Sequence, residues 1–143
     1  MVRIVDDGGH FDHPVDVVWK YVQSWDHPSA HTDRKNTSAK PLSENSAEVS
    51  WEQDVMGKPV KVVSRITSYA PVGTTIEVLE GPLAGSKFFQ YYTPMGAKTG
   101  VTIVGEFTSK TVPEAQLESI VRQNFEHVFG QDTAALKEFA AKK

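Results

Sequence analysis

The chain contains no cysteine. That excludes disulfides, thiolate catalysis and every cysteine-bearing zinc site, and it fits a reducing compartment. Beyond the terminal Lys142-Lys143 there is no basic cluster, and the formal net charge is −3. A nucleic-acid partner is therefore not expected, because displacing counterions from phosphates needs concentrated positive charge. No run approaches the roughly twenty apolar residues of a membrane span. The opening "MVRIVDDGGHF" carries charges where a signal peptide needs its apolar block, so the expected location is cytoplasmic. Also missing are G-x-S-x-G, a phosphate-binding loop and H-E-x-x-H. There is no repeat and no linker, and 143 residues fit a single domain spanning 1–143.

What is present is periodic. Residues 2–12 read as a strand interrupted at Gly8-Gly9, a bulge signal. In "DHPVDVVWKYVQ", Pro14 suits a first helical position with Asp12 or His13 capping, and Val15, Val18, Trp19 and Val22 recur at helical spacing. "DHP" returns fourteen residues later, and Pro28 marks a second, shorter helix. From 36 to 109 the period becomes two. Val49, Trp51 and Val55 alternate with acids; Val60, Val62 and Ile66 share a phase, as do Ile76 with Val78 and Val101 with Ile103 and Phe107. Turn signals at "APVG", "EGPLAG" and "TPMGAKTG" separate these runs, which predicts successive antiparallel hairpins with one covered face. "SKFFQYYTP" is aromatic on both phases, so its inner face stays open between Tyr91 and Tyr92.

The last thirty residues predict one helix to about residue 141. Thr111 and Glu114 stand in capping-box spacing, and Leu117, Ile120, Val121, Phe125, Val128, Phe129, Ala135, Leu136 and Phe139 gather on one broad side. Asn124 and Asp132 fall inside that apolar arc. Burying them without partners costs roughly 1–3 kcal/mol or more, so either protein hydrogen bonds or a wet or ligand-filled cavity must satisfy them.

The segment "FDHPVDVVWKYVQSWDH", with its proline-started Val-Trp helix and second short helix, and "SYAPVGTTIEV", an aromatic and proline before a strand, are similar to the START-like or SRPBCC superfamily. That superfamily includes Bet v 1-type proteins and the polyketide cyclase/dehydrase-like group, and the resemblance covers almost the whole chain. It implies an α+β helix-grip fold: a curved antiparallel sheet of about seven strands around the long C-terminal helix, with two short helices after the first strand. It also implies a cavity for a small hydrophobic molecule, a lipid, sterol or polyketide, in a carrier or sensor. A cyclase or dehydratase is the alternative, and a chaperone-ATPase activator the third possibility. "PLSENSAE" stands where the plant Bet v 1 branch has a glycine-rich loop.

Within that frame, the ligand-facing candidates on the helices are Trp25, His31, Asn124 and Val128. Those on the strands are Trp51, Gln53, Ile66, Val78, Tyr91 and Ile103. Candidate acid–base groups are His127, Tyr91 and Glu80, which could move protons beside an enolisable ketone. His27 and His31 are four apart, a spacing that can put two imidazoles on one helical face, with Asp26 or Asp33 adding an oxygen. His27 at the cap would lie outside the regular helix and spoil that geometry, so no metal and no cofactor is expected. The expected state is a monomer or homodimer.

Overall fold

The computed structural model describes residues 1–24, 26–55 and 57–142. The order is β1 (Val2–Phe11), α1 (Val15–Gln23), α2 (Asp26–Ala30), β2 (Lys35–Pro41), β3 (Ser46–Val55), β4 (Lys58–Tyr69), β5 (Gly73–Glu80), β6 (Lys87–Met95), β7 (Lys98–Phe107) and α3 (Glu114–Ala141). The seven strands form one curved antiparallel sheet in the order β1-β7-β6-β5-β4-β3-β2. Strands β2 to β7 are a meander, and β1 returns to pair with β7. The fold class, the two short helices and the helix end near 141 are those expected. The glycine pair is a bulge: the β1–β7 register shifts between Asp6 and Gly9.

Register separates the two faces. Ile4, Gly105, Phe88, Ile76, Ile66 and Ala47 align across six strands. Phe88 stacks on Phe107 at 5.2 Å and tilts against Phe125 of α3 at 5.9 Å. That row, and every second residue from it, is therefore the inner face under α3. It follows that Gln90 and Tyr92 point inward, whereas Phe89 and Tyr91 point outward, which resolves the aromatic ambiguity of β6. Gly105 is required where it stands. A Cβ there would sit 2.6 Å from the Lys87 carbonyl oxygen and closer still to Phe88 Cβ.

Two apolar clusters anchor α3. Leu117 and Val121 pack with Ile4 and Phe107, joined by Phe88 and Phe125. Leu136 packs with Phe11, Val18, Tyr21, Tyr92 and Val101, joined by Trp19, Phe129 and Phe139. Phe129 stacks on Phe11 at 4.8 Å, and Gly9 leaves room beside the Phe129 ring, 3.4 Å from where its Cβ would be. Both clusters draw on β1, β6 and β7. Among the described residues, neither contains an inner residue of β3, β4 or β5.

Three local expectations are corrected. Thr111 and Glu114 form no capping box: extended Pro113 is the cap of α3, which leaves Thr111 two residues upstream, while Ser109 Oγ accepts the amides of Thr111 and Val112. Pro14 is likewise the cap of α1 rather than its first helical residue, because its ψ of 157° is extended. Ile120 is 42% exposed, off the buried stripe.

Candidate functional site

Two features meet inside the curve of the sheet, an apolar wall and a buried polar knot. The wall is the inner face of β3 to β5. Ala47, Val49, Trp51, Ile66 and Ile76 are half-buried there, and Val78 and Ser64 are buried. Trp51 Nε1 donates to Gln53 Oε1 at 2.7 Å, so two inward residues of one strand satisfy each other. The Arg34 guanidinium, on the connection from α2 to β2, lies 4.2 Å from the centre of the Trp51 ring. A cation is thereby held over the apolar wall by the ring's π face. Burial pushes the Arg34 pKa down, against the charges of Asp33 and Asp132 that favour its protonated form.

The knot is built by three helices. Ser24 Oγ donates to the Tyr21 carbonyl at 2.7 Å and accepts the Asp26 amide at 3.2 Å, turning the chain from α1 into α2. His27 lies inside α2, with Pro28 in the first turn where its missing amide costs nothing. His31 follows immediately. His27 is therefore not the cap expected of it, and the two imidazole rings lie 5.3 Å apart although His31 stands one residue past the end of α2. Both imidazoles meet Asp132 of α3, each Nε2 standing 3.4 Å from Asp132 Oδ1. Tyr21 of α1 donates its hydroxyl to the same oxygen at 2.8 Å.

A second layer fixes the orientation. His31 Nδ1 lies 2.7 Å from Gln131 Oε1, and Gln131 Nε2 donates to Asp33 Oδ1 at 3.1 Å. A carboxylate only accepts, so Asp33 sets which way the Gln131 amide faces, and that in turn makes His31 Nδ1 the donor. His127 Nε2 lies 3.5 Å from the other Asp33 oxygen. Burial opposes the charged form of Asp132, yet the hydrogen bonds and charges of His27 and His31 outweigh it and hold the carboxyl well below the usual carboxylate range. Burial, with the Asp132 charge added, pushes both the Tyr21 and Tyr92 phenols far up, so both stay protonated. In Asp33 burial also opposes ionisation, and the Gln131 bond with neighbouring positive charge reverses it, lowering its pKa.

No family model matches the sequence, and no curated protein matches it. Solved structures match its shape. A protein from Thermus thermophilus superposes with a TM-score of 0.73 at 14% identity, over 99% of this chain and 100% of that one. The Zhui aromatase/cyclase from Streptomyces sp. R1128 gives 0.73 at 13%, over 97% and 93%. A START superfamily protein from Mycobacterium smegmatis gives 0.74 at 8%, over 95% and 97%. The fold is the START-like helix-grip fold. At these identities the likeness concerns shape alone.

On the helix-grip frame the residues named from sequence separate into groups. Trp51, Gln53, Ile66, Val78 and Ile103 lie on the inner face, and Val128 is half-buried on α3. His31 is buried, but in the polar knot. Trp25 lies outside the described residues. Tyr91 is corrected: it is 40% exposed on the outer face, stacked on Phe89, and Tyr92 takes the inward place. Asn124 is exposed and needs no buried partner, whereas Asp132 is buried and satisfied by protein groups. Glu80 does not stay in phase with Val78, because the β4–β5 register shifts and pairs it with Val63, leaving it exposed. His127 is exposed on α3. The three acid–base candidates therefore do not converge. Tyr21, Arg34 and Gln90 are inward polar groups that the sequence did not single out, and Tyr92 is the inward member of the pair it left open. Tyr21, three residues after Val18 on the buried stripe of α1, left a periodic signal; Arg34 left none.

Proposed function

We propose that the protein binds a small hydrophobic molecule of lipid, sterol or polyketide type between the inner face of β3 to β5 and α3, as a carrier or sensor. One observation carries the reading. An apolar inner wall, Trp51, Ile66, Ile76 and Val78, belongs to neither cluster that seats α3. Left bare, that wall costs about 25 cal/mol for each Å² of apolar surface exposed to water, which a bound apolar molecule recovers. Arg34 above Trp51, with Gln90 donating to Tyr92 at 3.0 Å, gives the cleft polar contacts that can orient a ligand's polar end. The cyclase alternative has less support, since Tyr91 lies on the outer face and Glu80 and His127 are both exposed. Native mass spectrometry of gently purified protein, followed by titration with a fluorescent fatty-acid probe, tests the reading. Ile66→Trp should fill the cleft and weaken probe binding at least about 10-fold, through lost buried area. Absence of both a co-purified species and probe binding would overturn it.

A further inference from the structure

We propose that His27, His31 and Asp132 form a binding site for one divalent transition-metal ion of the zinc class. The three ligand atoms lie within 4.8 Å of one another, and both imidazole Nε2 atoms are 3.4 Å from Asp132 Oδ1. That separation is long for a charge-assisted N–H···O bond, which closes to about 2.7–2.9 Å. It matches the edge of a tetrahedron with metal–ligand bonds of about 2.0–2.1 Å, roughly 3.3 Å. His27, the more exposed of the two histidines, has to turn inward to close the remaining edge.

The hydrogen-bond chemistry points the same way. Asp33, through Gln131, makes His31 Nδ1 a donor and leaves Nε2 to face the Asp132 carboxylate. His27 brings a second Nε2 to the same oxygen. Without a metal, imidazole N–H groups face this carboxylate; a metal displaces those protons, and the same three atoms then present two nitrogen lone pairs and a carboxylate to one point. A divalent ion between the three atoms accepts both lone pairs and the carboxylate at once. Gln131 on His31 and the Tyr21 hydroxyl on Asp132 then play the outer part usual around metal ligands, fixing a tautomer and an oxygen. Three protein ligands leave a fourth position for water or another donor. This site lies outside the apolar wall, so it stands or falls independently of what the cleft binds.

The test uses the full chain stripped with a chelator and titrated with zinc chloride by calorimetry, with cobalt(II) as an optical probe. One ion per chain is expected, with the intense visible bands of four-coordinate cobalt. His27→Gln and Asp132→Asn should each weaken zinc binding more than about 100-fold, and Gln131→Ala about 10–100-fold, the range for outer partners. His10→Ala, at an exposed histidine on β1, should leave it unchanged. Because His27 is partly exposed, its variant keeps the fold and keeps the test decisive. Failure of the folded protein to bind zinc, or binding that survives both His27→Gln and Asp132→Asn, would overturn the proposal.

Discussion

Replacing Tyr21 by phenylalanine isolates one bond of the polar knot. Tyr21 is 1% exposed, and its hydroxyl donates to Asp132 Oδ1 at 2.8 Å. Phenylalanine keeps the ring against His27 and Phe139, which it meets edge-on at 5.3 and 5.7 Å, so no cavity opens. What is lost is a buried hydrogen bond to a charged acceptor, about 1.5–3 kcal/mol, with the flanking imidazoles still in place. Taking about 2 kcal/mol and about 3 °C per kcal/mol for a chain of this length, Tm should fall by about 6 °C. The effect should also carry a pH signature. The folded pKa of Asp132 lies below its unfolded value of 3.8, so its stabilisation is full above about pH 4 and fades only as pH drops through the folded value. The gap between parent and variant should therefore hold steady from neutral pH to about pH 4 and narrow in stronger acid. Urea unfolding of chelator-treated protein across that range measures both quantities. Equal stability at neutral pH would refute the energetic role assigned to the bond. A gap that widens in acid would refute the ionised state assigned to Asp132.

Other outcomes follow from the sheet. Gly105→Ala forces a Cβ into the Lys87 and Phe88 backbone rather than into a movable side-chain tip. It should cost more than about 3 kcal/mol by strain and overpacking, read as lost soluble yield or a collapsed urea midpoint. Tyr91→Ala, on the outer face, should change stability by less than about 1 kcal/mol and leave probe binding in the cleft untouched, as fluorescence titration would report. A marked loss of binding would return Tyr91 to the site.

Architecture was legible because it rests on period and punctuation. Pro14 and Pro28 marked two helices, Gly8-Gly9 marked the bulge, and alternation at Val49, Trp51, Ile66 and Ile76 told the inner face from the outer. Where alternation failed, the failure was physical. In β6 both phases are aromatic because Phe89 and Tyr91 flank Thr75 on the outer face while Phe88 and Tyr92 serve the core. Glu80 went astray because one extra residue in β5 flips the phase after Val78, and such a shift leaves no mark in a single sequence. The polar knot was half legible. The histidine spacing was visible, but its meaning depended on Pro28 sitting within the first turn rather than after the cap, and on Asp132 arriving from a helix about a hundred residues later. Long-range convergence of that kind has no local period to announce it.

The knot is a poor way to gain stability, and that sharpens what it is for. Breaking a buried charged cluster at one member strands the rest, so Asp132→Leu alone should cost about 3–5 kcal/mol. Replacing the cluster with matching apolar groups removes the stranded charges. The triple variant Tyr21→Phe, His31→Leu, Asp132→Leu should be close to the parent in stability, or up to about 4 kcal/mol above it. Leu136 and Phe139 already line the adjoining core and can receive the new side chains. Urea unfolding of the single and triple variants reads the difference directly, and the triple should at the same time have lost zinc binding altogether. If the triple variant is as unstable as Asp132→Leu, the knot is holding α1, α2 and α3 together after all. If it is stable and blind to zinc, the three helices cohere through their apolar contacts. The two histidines and the carboxylate are then spent on chemistry rather than on folding.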